Sequence, residues 1–368
     1  MNRKQKKDVD FCSSCPKLCR HACPVGNADC RETVSPWGKM TMMKMVDDGR
    51  APLDTDSASV FYKCLGCLLC RSYCKHEIAV PDSLVAGREL AVMNGVGPQA
   101  ITDMGCRFAS SHNPAGRDLA EQIRKTLPAQ TFVKGAGAVF FAGCMHTARD
   151  TGVVGRFFEI AAALGVDYMG AWGGEPYCCG LPLHTAGFAS GFKTHAAVLS
   201  KELSSYKLIV TPCPACAYTL KVLYPEMGFR TAQKVQHVSE FLAPIIKSNS
   251  VRKPSGRTMA WHDPCYLGRY LGVYDEPRKL LETCGVKPAE FQWGREMSYC
   301  CGGGGNLPLT SKKTAVAVAD KRRADFKKTG ADAIATGCPS CEAMLGLEGS
   351  GVEVLDLIDV VHAALMGQ

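Results

Sequence analysis

Tyr177-Cys178-Cys179-Gly180-Leu181-Pro182, with Cys144 before it and Cys213-Pro214-Ala215-Cys216 after it, gathers five cysteines from three separated segments. Adjacent thiolates plus a CxxC pair form a soft donor set of the kind that iron–sulfur clusters use. The same order returns about 121 residues later, at a spacing typical of an internal structural repeat. There it reads Cys265, Cys300-Cys301-Gly302 and Cys338-Pro339-Ser340-Cys341. Repetition of all five cysteines in order implies two copies of one ligand-binding unit and points to electron transfer.

Outward from these cysteines, strand and helix alternate. Ala138-Val139-Phe140-Phe141 is a short apolar run ending near Cys144 and reads as a buried strand. A helix is expected over Gly155–Leu164, a strand at Val166-Asp167-Tyr168, a helix over 190–203 and a strand at Leu208-Ile209-Val210. Cys213 to Cys216 then opens a further helix. In the second copy Met259-Ala260-Trp261 leads to Cys265, helices cover Pro277–Cys284 and 312–328, and Ala333-Ile334-Ala335 is a strand before Cys338. Both copies close on amphipathic segments, Val238–Ile246 and Val354–Leu365. Such alternation builds small parallel sheets, whose ligands collect beyond the carboxyl ends of the strands. The cysteines fall there, where helix amino termini favour thiolates.

Upstream lie Cys12-x2-Cys15-x3-Cys19-x3-Cys23-Pro24 and Cys64-x2-Cys67-x2-Cys70-x3-Cys74. The second run has the spacing of bacterial two-cluster ferredoxins, in which three cysteines hold one cluster and the fourth crosses to the other. On that logic Cys12, Cys15, Cys19 and Cys74 hold one [4Fe–4S] cubane, and Cys64, Cys67, Cys70 and Cys23 hold a second. The first run carries an extra residue between Cys15 and Cys19, Lys75 stands where a proline is usual, and Cys30 is near enough to replace a ligand. One cubane with another arrangement, or paired zinc sites, are the alternatives. A helical pattern follows at 83–92, 101–108 and 119–127, broken by Asn113-Pro114-Ala115-Gly116, and Lys134–Gly137 reads as a linker. The expected fold class is α/β: a helical two-cluster ferredoxin-like module over 1–130, then repeated α/β domains over 131–250 and 251–368.

Apolar residues make up 46% of the chain and charged residues 21%, which excludes wholesale disorder. No apolar run is long enough for a membrane span, and Met1–Lys7 lacks the apolar segment of a secretory signal. A cytoplasmic location is therefore expected, where CxxC pairs read as metal or redox sites. The formal charge of +8 is offset wherever thiolates ligate clusters. Basic residues are scattered, so nucleic acid is not an expected partner. Arg3–Lys7 and Lys321-Arg322-Arg323 read as solvated surface, usable by an acidic partner.

Phe141-Ala142-Gly143-Cys144, Tyr177–Pro182, His262-Asp263-Pro264-Cys265, Cys300-Cys301-Gly302-Gly303-Gly304 and Gly337-Cys338-Pro339-Ser340-Cys341 resemble the CCG-domain family. That family includes catalytic subunits of heterodisulfide reductases and iron–sulfur subunits of glycolate, lactate and anaerobic glycerol-3-phosphate oxidation systems. The resemblance covers nearly the whole chain. It implies a noncubane [4Fe–4S] cluster at each complete five-cysteine motif, so Cys144, Cys178, Cys179, Cys213 and Cys216 would hold one. Cys265, Cys300, Cys301, Cys338 and Cys341 would hold the other. The total is then two cubane and two noncubane clusters. It further implies a flavoprotein partner, of FAD dehydrogenase or electron-transfer flavoprotein type, and a quinone-linked membrane subunit that would place the chain peripherally on the inner membrane face.

Gly302–Gly305 lacks the Lys-Ser or Lys-Thr of a phosphate-binding loop and misses the dinucleotide fingerprint, and Gly135-x-Gly137 precedes a strand instead of following one. Close approach of backbone to a cluster is the better account of the first. His262 is positioned to donate to a cluster sulfur or relay a proton, with packing or capping as the alternative. His184 and His146 also neighbour the motifs. Cys30, Cys106 and Cys284 read as ordinary thiols, with Cys284 on the buried side of a helix.

Three functions compete. The chain is expected to be an iron–sulfur electron-transfer subunit, incomplete as an enzyme without partners. The alternative is a subunit cleaving a disulfide or heterodisulfide at paired noncubane clusters, with Cys178, Cys179, Cys300, Cys301 and His262 at the reacting centre. The last is a metal-stabilised scaffold without redox turnover.

Overall fold

The computed structural model describes residues 1–132 and 137–367, so the expected linker over Lys134–Gly137 lies outside the described residues except for Gly137. Two four-stranded parallel sheets organise the carboxyl-terminal two thirds. Strands β1 (Ala138–Phe140), β2 (Met169–Ala171), β3 (Leu208–Thr211) and β4 (Lys234–His237) form the first, in the order β2-β1-β3-β4. Strands β5 (Thr258–Trp261), β6 (Lys287–Ala289), β7 (Ala333–Thr336) and β8 (Val354–Asp356) form the second, in the order β6-β5-β7-β8. The registers match: Val139 pairs with Gly170 and Ile209, and Ala260 pairs with Ala289 and Ile334. Central strands β1 and β7 are buried along their whole length, as parallel strands covered on both faces require.

The central strands and most helices stand where the apolar pattern placed them. The strand expected at Val166–Tyr168 instead lies at Met169–Ala171. Gly165 is left-handed (φ +70°) and the Val166 N–H still returns to the Ala161 carbonyl, so this stretch ends the preceding helix. The closing segments also divide. Short helix Val238–Leu242 follows β4, and helix Leu357–Met366 follows β8. Strands β4, β6 and β8 escaped the pattern because they are short and partly polar, and β6 carries Pro288 at a sheet edge.

Residues 1–80 contain the helices Arg3–Ser13, Pro36–Asp47 and Thr55–Tyr62. Their starts are marked by capping: Asn2 and Asp54 form capping boxes, and Ser35 caps with Pro36 in the first turn. These helices pack with Val80–Met93 around Met40, Met43, Phe61 and Leu84. Helix Gly152–Ala163 of the first repeat packs on helix Leu357–Met366 of the second, with Arg156 Nε 2.5 Å from Asp359. The amino-terminal region shares a core with the second repeat, through Val25, Leu65 and Leu69 against Leu307, Val318 and Leu345.

The run Lys321-Arg322-Arg323 is not a solvated face. Arg322 is fully buried, Arg323 is buried on the Met344 carbonyl at 2.7 Å, and only Lys321 is exposed, its ammonium 2.6 Å from the Asn27 carbonyl. Adjacent helical residues point about 100° apart, so a run in sequence divides between core and surface. Arg3, Lys4, Lys6 and Lys7 are exposed. No helix among the described residues is long and apolar enough to cross a membrane.

Candidate metal centres

In the first repeat Cys144 opens the helix after β1, Cys178-Cys179 lies beyond β2, and Cys213 precedes helix Pro214–Tyr218 after β3. Their sulfurs form a continuous chain: Cys144 to Cys178 at 3.4 Å, then Cys179, Cys216 and Cys213. The second repeat repeats the chain as Cys265, Cys300, Cys301, Cys341 and Cys338. All ten are free thiols, buried except for half-buried Cys265. Burial, then contact with Cys144 and Cys179, pushes the Cys178 thiol well up, while contact with Cys178 and Cys216 holds Cys179 well down. Cys301 is likewise held down by Cys300 and Cys341.

Glycines make these approaches possible. Gly143 has φ +77°, and a Cβ there would stand 2.9 Å from Cys216 Sγ. After each Cys-Cys pair the chain turns through a left-handed glycine, Gly180 or Gly302.

The amino-terminal cysteines lie near enough to shift one another, and Cys19 and Cys23 neighbour sulfurs of both runs. Burial, then Cys19, Cys15 and Cys74, pushes the Cys12 thiol up to about 12. Burial, then Cys67, Cys64 and Cys23, pushes Cys70 well up. Cys30 is exposed beside the Asn27 carbonyl, Cys106 is exposed, and Cys284 is fully buried.

Two basic residues test whether anionic clusters suit these pockets. Lys39 is only 2% exposed, and among the described residues its ammonium has one hydrogen-bond partner, Cys23 Sγ at 3.6 Å. Burial opposes its charge, yet the Cys23, Cys64 and Cys70 thiolates raise it. Arg269 donates to the Cys67 carbonyl at 2.5 Å while its buried Nη2 has no partner among the described residues, and Cys67, Cys265 and Cys300 raise it against burial. Buried cations whose nearest ionisable neighbours are sulfurs need a net negative group among those sulfurs. Iron–sulfur clusters on thiolates supply one, so the residues present fit.

The sets are joined. Cys67 touches Cys300, linking the inner amino-terminal group to the second repeat. Gly304 and Gly305 lie against the Leu65 and Cys64 carbonyls, where a Cβ would come within 2.2 and 2.1 Å. The close approach expected of this glycine run is thus to the backbone carrying Cys64, as well as to the site. A cavity of about 130 Å³ is lined by cysteines of both repeats, Cys144, Cys179, Cys213 and Cys216 together with Cys265, Cys301, Cys338 and Cys341.

His262 contacts Cys301, and its Nδ1 accepts from Arg322 Nε at 3.2 Å, so Nε2 carries the proton that faces sulfur. His146 pairs with Asp356 at 3.4 Å. His184 packs on Phe192 and is pushed down to about 4, first by burial and then by Arg88. Sequence reading passed over Lys39, Arg269 and Arg88, since isolated basic residues carry no spacing signal, and it took Arg322 for surface. Arg88 is buried and donates to the Phe61, Cys64, Thr185 and Gly305 carbonyls, tying all three regions together.

A family model described as "Cysteine-rich domain" (CCG) matches residues 138–221 and 259–346. The chain is 30% identical over 321 residues to one subunit of the dihydromethanophenazine:CoB–CoM heterodisulfide reductase of Methanosarcina mazei, covering 82% of this chain and 77% of the relative. It is 26% identical over 349 residues to EtfAB:quinone oxidoreductase of Syntrophomonas wolfei, covering 85% of this chain and 47% of the relative. A hypothetical protein from Helicobacter pylori shares the fold, with TM-score 0.55 at 9% identity over 99% of this chain and 73% of that one. With both repeats matched and a relative 30% identical over most of both chains, the chain belongs to the CCG-domain family of iron–sulfur oxidoreductase subunits.

Proposed function

We propose that this chain carries electrons between a flavoprotein partner and the paired five-cysteine sites. Cys12, Cys15, Cys19 and Cys74 would hold an outer cubane, Cys23, Cys64, Cys67 and Cys70 an inner one, and each repeat a noncubane cluster. Bound there, the clusters supply one-electron redox chemistry. The contact between Cys67 and Cys300 carries this reading, because it makes the inner set continuous with the second repeat. Lys39 and Arg269 compensate charge beside the sulfurs, and His262 presents an N–H to Cys301. The groove beside Cys15, Cys19 and Cys74 carries Lys7, Lys75, Phe11 and Leu18, a surface for a partner with an acidic rim. A quinone-linked subunit would add peripheral membrane association; EtfAB:quinone oxidoreductase supports that by its name.

The shared cavity favours a second reading, cleavage of a disulfide whose two sulfurs face opposite cysteine sets. Its walls are narrow and sulfur-lined, so they suit a small thiol-derived substrate, and the heterodisulfide reductase relative supports it by name. Anaerobic iron and sulfide analysis with EPR separates the readings. About sixteen irons per chain, from four four-iron clusters, are expected in the wild type. A signal responsive to thiol or disulfide would favour cleavage; the full count without response leaves the relay. About eight irons, unchanged in a Cys178→Ser, Cys300→Ser double variant, would remove clusters from both repeats.

A further inference from the structure

His237 closes β4 and Asp356 closes β8, so the two occupy the same place in the repeat. Each caps the helix that follows: His237 Nδ1 accepts from the Ser239 N–H at 3.2 Å, and Asp356 Oδ1 from the Ile358 N–H at 2.8 Å. The other end of each side chain remains free, and both reach the opposite repeat. His237 Nε2 lies 3.2 Å from the Pro212 carbonyl and 3.0 Å from the Gly337 carbonyl. Those residues immediately precede Cys213 and Cys338, the first cysteine of each CPxC pair. Asp356 Oδ2 lies 3.4 Å from His146 Nε2, in the Cys144 segment of the first repeat. All three side chains are buried.

The Ser239 N–H occupies Nδ1, so the imidazole proton sits on Nε2, and one N–H is shared between two carbonyls from different repeats. Burial keeps the ring neutral by holding it near 4. The approach also accounts for Gly337: a Cβ there would stand 2.9 Å from His237 Cε1 and 3.4 Å from the Trp261 ring. The first repeat has Pro212 at the matching position, and its carbonyl takes the other share of the His237 N–H.

We propose that His237 is a positioning residue that fixes the two CPxC loops relative to each other, with the Asp356–His146 contact as its reciprocal. Neither loop can then move without lengthening a bond to the other, so a change of state in one cysteine set is transmitted to its counterpart. This rests on reading both sets as cluster ligands, and it adds a coupling between them.

The test compares full-length His237→Ala, His237→Gln and Gly337→Ala with wild type, purified anaerobically. Hydrogen exchange is followed over 211–218 and 335–342, with iron content and the redox potentials of both repeats measured in parallel. The expected result for His237→Ala is faster exchange in both loops and a shift of both potentials, partly restored by His237→Gln. Gly337→Ala, which keeps the imidazole but displaces it, should reproduce the double effect even if His237→Ala folds poorly. Faster exchange in 211–218 alone, or a shift of one potential only, would reduce His237 to a local cap and overturn the proposal. The cluster reading is judged separately, by wild-type iron; with about eight irons instead of sixteen, exchange in the two loops still decides the coupling.

Discussion

In the first repeat the residues before Cys144 are Phe141, Ala142 and Gly143; in the second, those before Cys265 are His262, Asp263 and Pro264. Phe141 lies among Trp172 and Tyr177 in an aromatic, nonpolar wall. His262 and Asp263 instead enter a buried polar network. Asp263 accepts both guanidinium ends of Arg278, at 2.7 and 2.9 Å, together with Trp261 Nε1 and the Arg295 N–H. Arg322 donates to His262, Asp325, Ser298 and the Trp293 carbonyl, and its guanidinium lies 3.5 Å over the Phe291 ring. The matching position of the first repeat's helix Ala189–Leu203 is Leu199, also fully buried. The same sulfur set is thus placed in two different media. Hydrogen bonding and solvent access around sulfur set cluster potentials, so the second repeat, with an N–H on Cys301 and two buried arginines nearby, should be the more easily reduced.

The largest difference should appear on removing one sulfur from each repeat. Cys178→Ser and Cys300→Ser are each expected to lower iron by about four per chain. Only Cys300→Ser should also slow reduction of the other repeat by a one-electron donor, because Cys300 is the sulfur in contact with Cys67. Rapid-freeze EPR of the two variants checks this; equal reduction kinetics would mean that the amino-terminal module does not feed the second repeat first.

Next in size is Arg322→Leu, which gives the second repeat the residue of the first. Leucine fills the space, but Asp325, Ser298 and His262 Nδ1 lose their buried donor. Removing one partner from a buried charged network costs about 3–5 kcal/mol, so a clear fall in urea midpoint is expected. The potential of the second-repeat cluster should move toward that of the first. A stable variant with an unchanged potential would show that the polar medium is not what separates the repeats.

Asp263→Asn is a milder probe. Arg278 keeps Glu290, at 2.6 and 2.8 Å, but loses the charge on its buried partner. Hydrogen bonds to charged groups contribute about 1.5–3 kcal/mol, and the destabilisation should fall in that range in denaturant titrations. The matching Ala142→Ser in the first repeat should cost less, since no arginine waits there.

What the sequence made legible follows from the same contrast. Cysteine order, the glycines after each pair and the apolar central strands are local signals, and each survived in the structure. Strands β4, β6 and β8 were not legible, since their pairing depends on neighbours distant in sequence. Nor was the inward turn of Arg322 or the burial of Lys39 and Arg269. A lone basic residue reads as surface until its acidic or sulfur partners, tens to hundreds of residues away, are seen around it. Lys321-Arg322-Arg323 shows the limit most plainly: three like charges in a row point into solvent, into a polar core and onto a helix end.

The smallest expected effect concerns His184, in the first-repeat segment Leu181-Pro182-Leu183-His184, which the second repeat writes Leu307-Pro308-Leu309-Thr310. Burial, then Arg88, holds His184 near 4, below its ordinary 6.5. Between those values the folded chain binds fewer protons than the unfolded one, so stability falls as pH drops below 6.5 and the loss levels off near 4. Above pH 7 the effect vanishes, because the imidazole is neutral in both states. At pH 5 the penalty should be about 1–2 kcal/mol, allowing for partial exposure. His184→Thr, borrowing the second repeat's residue, should remove that slope while leaving stability at pH 7.5 nearly unchanged. Urea midpoints of both proteins at pH 7.5 and pH 5.5 measure it, with iron content followed to separate unfolding from acid loss of clusters. Parallel pH curves would place the acid sensitivity of the first repeat elsewhere.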